Sequence, residues 1–167
     1  MVQQLPPPVI DSMMEVDGPD VDETQLTFII EGEPKVQERH RIAWKGILGA
    51  WRRKKRASPI IYDPSAKDKR DLRLAVKAAM QEIEITSFPY YNADEPLVLE
   101  LFFFFEVRPN QVFPKKKDLD NMVKYIMDAL TGVIYPNDTA IVSLAAEKTF
   151  EAHNSTMVSI SRISRNI

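Results

Sequence analysis

Apolar residues recur along this chain in two rhythms, one of strands and one of helices. Leu26-Thr27-Phe28-Ile29-Ile30-Glu31 is rich in β-branched and aromatic side chains and predicts a strand, which Gly32-Glu33-Pro34 ends. Leu97 to Val107 is apolar on both faces for most of its length, the pattern of a strand in the middle of a sheet with cover on both sides. Ile141 to Phe150 alternates, with Val142, Leu144 and Ala146 on one face. After a turn at Glu151 to Ser155, Met157 to Ile163 is expected to pair back on it as a hairpin. Between the strands the period changes. Leu72, Val76, Ala79 and Ile83 are spaced by four, three and four residues, one apolar helix face, with Lys67, Arg70, Arg73 and Lys77 on the others. Asp63 as N-cap and Pro64 at the first helical position start that helix, and Pro89 requires it to close before Thr86 to Phe88. Leu119, Met122 or Val123, Ile126 and Leu130 mark a second helix, with Gly132 just past its C-cap.

No internal repeat is visible. The order strand, helix, strand, helix, hairpin predicts an α+β domain over residues 25–167, with a mixed sheet and two main helices. Residues 1–24 break the pattern: Pro6-Pro7-Pro8 and scattered acids read as a disordered tail. Pro89 to Pro96 reads as a loop.

Composition changes the picture mainly by exclusion. The 167 residues contain no cysteine and two histidines, which removes disulfide scaffolds, thiolate zinc sites, a cysteine nucleophile and histidine-rich metal sites. Neither a signal peptide nor an apolar stretch long enough to span a bilayer as a helix is visible, so a soluble intracellular protein is expected, cytoplasmic or nuclear. The net charge of -2 hides an asymmetry: the segment before Thr24 carries only acids, and the remainder is net basic. Basic residues gather at Lys35, Arg39, Arg41, Arg52, Arg53, Lys54, Lys55 and Arg56, and again at Lys115, Lys116 and Lys117. For the first group a solvated loop, a nuclear-import signal and a phosphate-binding arm are competing readings.

The candidate chemistry lies directly behind the lysine run, in Lys115-Lys116-Lys117-Asp118-Leu119-Asp120-Asn121. If residues 118–120 are extended, both carboxylates face one side while Leu119 anchors inward. Lys124 and Asp128 follow Asp120 at successive four-residue steps and share a helix face. Asp138 follows the helix and returns to its start only through the tertiary fold. Carboxylates gathered at one point repel one another, and a divalent cation removes that cost; an all-oxygen donor set favours magnesium or manganese. The plainer alternative is that Asp118 or Asp120 caps the helix and Lys124 with Asp128 forms a surface pair. A calcium loop does not fit, since Val123 stands where its glycine belongs and Ala129 where its glutamate belongs.

Taken together, Asp118-Leu119-Asp120-Asn121, Lys124, Asp128-Ala129-Leu130-Thr131-Gly132 and Asn137-Asp138 resemble the RusA family of Holliday junction resolvases. Gly32-Glu33-Pro34-Lys35 with Arg39 and Arg41 resembles the family's amino-terminal signature, and Lys148 also matches, so the resemblance runs from Leu26 to Ile163. It implies a RusA-like fold and a homodimer that nicks opposing strands of a four-way DNA junction in recombination and repair. It further implies that Asp118, Asp120 and Asp138 bind magnesium, that Lys124 is needed for cleavage, and that the basic residues, Lys148 included, approach the DNA backbone. The chain departs from the family pattern at Asn137, where paired aspartates are usual, and in a shorter spacing from helix to loop. A branched-DNA binder of the same fold that does not cut is the first alternative, and a magnesium-dependent nucleotide hydrolase the second.

Overall fold

The computed structural model describes residues 25–43 and 60–163; the acidic segment 1–24 and the Arg52 to Arg56 run lie outside them. Strand β4, Leu97–Glu106, is the centre of the molecule. Its odd-numbered residues Leu97, Leu99, Leu101, Phe103 and Phe105 are buried. A side-chain row this apolar must be covered, and it is covered by Val76 and Met80 of helix α1, Ala66–Glu82, and by Met122, Val123, Tyr125, Ile126 and Leu130 of helix α2, Leu119–Leu130. The other face, with Val98, Phe102 and Phe104, stays half-exposed, so the expected cover on both sides is present on one.

Four strands form the main sheet in the order β1-β6-β4-β5: β1 is Leu26–Glu31, β5 Ile141–Glu151 and β6 Ser155–Arg162. β4 runs parallel to β5 and antiparallel to β6, which in turn is antiparallel to β1. The sheet is mixed and the fold α+β, as the element order predicts. The expected hairpin is not formed. β5 and β6 are joined by a tight turn, yet β4 is inserted between them, because the most apolar strand gains most from two neighbours. The turn spans the end of β4, where Asn154 Oδ1 accepts from the Glu106 N–H at 2.9 Å and the Glu151 carbonyl accepts from the Val107 N–H at 3.2 Å. A separate two-stranded ribbon pairs β2, Arg41–Ala43, with β3, Ile60–Tyr62, a feature too short to register in the apolar pattern.

Helix α1 also differs from expectation at its start. It begins at Ala66 with Ser65 as N-cap, and Asp63 serves a turn instead: its Oδ1 accepts from the Ser65 N–H at 2.8 Å. The buried stripe is Val76 and Met80, while Ala79 is exposed and Ile83 is 64% exposed, because both border an open groove between α1 and β1 instead of closed core.

Candidate active site

Helix α2 carries most of the candidate chemistry, and its two ends are held differently. At its C-terminal end none of the last four carbonyls is left without a partner, the usual cost of ending a helix in the interior. The Met127 carbonyl accepts from the Thr131 N–H, the Thr131 hydroxyl and the Tyr135 hydroxyl. Arg73 of α1 donates through Nη2 to the Asp128 carbonyl at 2.9 Å and through Nε to the Ala129 carbonyl at 3.1 Å. The Leu130 carbonyl takes the N–H groups of Val133 and Ile134. Gly132, at φ +85, makes the reversal that a side chain would oppose, and its N–H donates to the Tyr135 carbonyl at 2.7 Å. The loop is thereby pulled back under the helix, with Val133, Ile134 and Tyr135 buried.

That loop delivers Asp138. Asn137 caps a single 3-10 turn, Asp138–Ala140, by accepting from the Thr139 N–H at 3.2 Å, and Asp138 stands exposed at the start of the turn. It faces a cleft of about 580 Å³ between α2 and β5, lined also by Asp120, Lys124, Asp128, Met127, Leu144 and Ala146. Thus the helix face carrying Asp120, Lys124 and Asp128 opens onto the same space as the carboxylate arriving from the loop. The buried Tyr135 phenol senses the arrangement: burial first, then the nearby Asp138 and Asp128 carboxylates, push its pKa above the ordinary tyrosine value.

Asp118 behaves differently from the expectation. It is the N-cap residue, extended at φ -71 and ψ 131, but α2 begins at Leu119 and puts Asp120 in its first turn. Strand alternation therefore stops at Asp118, and Asp120 reaches the cleft as part of the helix face instead. Neither aspartate is occupied with capping. Asp118 makes no side-chain cap bond, and its Oδ2 accepts only a long contact of 3.4 Å from Asn121 Nδ2. Asp120, Lys124 and Asp138 make no ion pair or side-chain hydrogen bond among the described residues, whereas Asp128 Oδ2 lies 3.1 Å from Lys69 Nζ.

Among the described residues no group of three or more histidine, aspartate or glutamate side chains converges closely enough to hold an ion. A magnesium ion does not require such a cage, because it keeps several waters and commonly takes one or two carboxylates plus substrate phosphate. The two unpaired carboxylates Asp120 and Asp138, open to one cleft, fit that donor chemistry.

The expected backbone-contacting residues are dispersed. Lys35 pairs with Asp68 at 2.9 Å and Arg41 with Glu38 at 2.8 Å, both exposed pairs. Lys117 pairs with Glu33 at 3.1 Å and donates to the Pro34 carbonyl. Lys115 lies over the Phe113 ring at 5.3 Å, while Lys116 and Arg39 are exposed. Lys148 of β5 donates to the Lys117 carbonyl at 2.7 Å, fixing the chain one residue before Asp118. Arg52, Arg53, Lys54, Lys55 and Arg56 lie outside the described residues.

Two residues with evident site contacts, Lys69 and Gln37, carry no signal in the sequence. Lys69 reads as one more cation on a helix, and Gln37 as one more polar residue in a charged loop. Only the fold brings Lys69 to Asp128 and Gln37 to Lys69. In comparisons with known proteins, a family model described as Endodeoxyribonuclease RusA matches residues 31–161. No curated protein matches the chain. Among the described residues no helix is long and apolar enough to cross a membrane.

Proposed function

The chain belongs to the RusA endodeoxyribonuclease family, and from that premise we propose that it is a divalent-metal-dependent enzyme that resolves four-way DNA junctions by paired nicks as a homodimer. The observation that carries this reading is the single cleft onto which Asp120, Lys124 and Asp138 all open without ion-pair partners among the described residues. Asp120 and Asp138, with Asp118 preceding them on the chain, are the residues to hold a magnesium or manganese ion. When bound, such an ion polarises the scissile phosphate and supplies a hydroxide-like water. Lys124 lines the same cleft one turn beyond Asp120, and in this reading it binds a phosphate oxygen and stabilises charge developing there. Lys148 positions the entry to α2 through the Lys117 carbonyl.

Two-fold symmetry of the substrate supports the homodimer, since two equivalent sites about one axis reach two opposing strands. The exposed lysines and arginines supply sequence-independent attraction to phosphates. A labelled four-way junction and a matched linear duplex, each incubated with magnesium or with chelator, test the reading. Paired nicks on the junction alone, and only with metal, are expected. Asp120→Asn is expected to abolish those nicks while leaving junction binding intact. Junction binding without cleavage in magnesium or manganese would favour the non-cutting alternative. Sedimentation of the protein as a monomer, free and on the junction, would remove the dimer.

A further inference from the structure

The ammonium of Lys69 is the most heavily used cation among the described residues. Its side chain is 11% exposed, and Nζ meets Asp63 Oδ2 at 2.5 Å, Gln37 Oε1 at 3.0 Å and Asp128 Oδ2 at 3.1 Å. An ammonium has three donors, and three oxygens take them. Each partner belongs to a different part of the chain. Asp63 precedes α1 and accepts from the Ser65 N–H. Gln37 is buried in the segment that leads to β2, and its N–H donates to the Asn121 carbonyl of α2 at 2.9 Å. Asp128 is on the cleft face of α2, with its carbonyl already taken by Arg73.

The cleft thus contains carboxylates of two kinds. Asp120 and Asp138 form no ion pair among the described residues, although Lys124 opens onto the same cleft, while Asp128 is tied to a nearly buried lysine. Three unpaired carboxylates around one cleft would offer a divalent ion competing positions, and a carboxylate paired with an ammonium is a poor ligand because the ion must displace that charge. We propose that Lys69 is a positioning residue of the cleavage site: it holds Asp128 against α1 and neutralises it, leaving the cation to Asp120 and Asp138. The proposal rests on the reading of the cleft as a divalent-metal site and adds which of its carboxylates is withheld.

The test is manganese binding to the full-length protein, followed by the electron-spin signal of free Mn2+, alongside junction cleavage. Lys69→Gln alone would leave the half-buried Asp63 charge without its cation, so it is combined with Asp63→Asn, which keeps the acceptor for the Ser65 N–H. In that double variant Asp128 is released, and Mn2+ is expected to bind severalfold more tightly. Its junction cleavage is expected to fall by about tenfold to a hundredfold with junction affinity retained. Adding Asp128→Asn should cancel the gain in Mn2+ affinity, a reversal that a merely structural role for Lys69 would not produce. Asp128→Asn alone should change Mn2+ affinity by less than about threefold, the screened effect of one charge at a distance. If Asp128→Asn weakens Mn2+ as much as Asp120→Asn does, Asp128 is a ligand and the proposal fails. It fails equally if the folded double variant binds Mn2+ as the wild type does. Should the double variant not fold, the comparison of Asp128→Asn with Asp120→Asn decides alone. A wild-type protein that neither binds Mn2+ nor cuts the junction overturns the functional reading itself, which is a different result from either.

Discussion

At the scale of single residues, the difference that matters is between charges with a partner and charges without one. Lys124 projects into the cleft without a partner among the described residues, so its ammonium is available to a phosphate. Lys124→Ala is expected to lower single-turnover junction cleavage by about a hundredfold to a thousandfold, the usual cost of losing one donor to developing charge, with little change in junction affinity. Asp63 shows the opposite case. Burial raises its pKa, but hydrogen bonds from Lys69, the Ser65 N–H and Gln37 outweigh that and hold it below the ordinary carboxylate value. A carboxylate depressed in the folded state contributes stability above its unfolded pKa and loses it as pH falls through the folded one. Asp63→Asn should therefore melt below the wild type at neutral pH and converge with it below about pH 4, as followed by thermal melts across pH. The cleft candidates Asp120, Lys124 and Asp138 stand out in the sequence through their ordered resemblance to one family's motif, because their spacing alone equally admits helix capping and a surface pair. Lys69 does not: its three partners lie 6, 32 and 59 positions away in sequence, and no spacing rule links them.

At the scale of elements, local signals were read correctly where the chain itself decides and incorrectly where distant pairing decides. Helix α2 was legible to both ends, since its apolar stripe and the glycine beyond its C-cap are local. The start of α1 was misplaced because Asp63, which looks like a cap, is held by Lys69 and by a turn. The hairpin was misread because adjacency in sequence favours pairing of β5 with β6, while the insertion of β4 is set by core burial that no local window contains. The dependence of α2 on α1 leads to a stability prediction. No basic residue stands in the last turn of α2, so among the described residues Arg73 alone supplies positive charge to the Asp128 and Ala129 carbonyls. Arg73→Ala leaves two carbonyl acceptors unpaired, one on the half-buried Asp128 and one on the buried Ala129, and is expected to cost about 1.5–3 kcal/mol. That corresponds to a fall of roughly 3–12 °C in Tm for a chain of this size. Calorimetry checks it, and a shift under 1 °C would mean that water replaces the guanidinium without loss.

At the scale of the whole molecule, charge is divided along the chain more sharply than the net value of -2 implies. Residues 25–167 contain all 22 lysines and arginines against 18 of the 24 acids. Among the described residues, only some of those cations are ready for phosphate. Lys35, Arg41 and Lys117 sit in ion pairs, and exposed pairs such as those of Lys35 and Arg41 are worth about 0–1 kcal/mol, so a phosphate displaces the carboxylate at small cost. The five consecutive cations Arg52 to Arg56 are the densest group in the sequence and admit the three readings set out above. Salt dependence separates them, because each neutralised phosphate adds about 0.9 to the slope of log affinity against log salt. If the run is a phosphate-binding arm, replacing all five by alanine should reduce that slope by up to about 4.5. The loss of affinity should be similar for junction and duplex, because phosphate contacts carry no shape or sequence information of their own. If the run is a solvated loop or an import signal, the slope stays at its wild-type value. Binding titrations at four or five salt concentrations distinguish the cases, and an unchanged slope would leave junction affinity to Lys115, Lys116, Lys124 and the residues around Arg39.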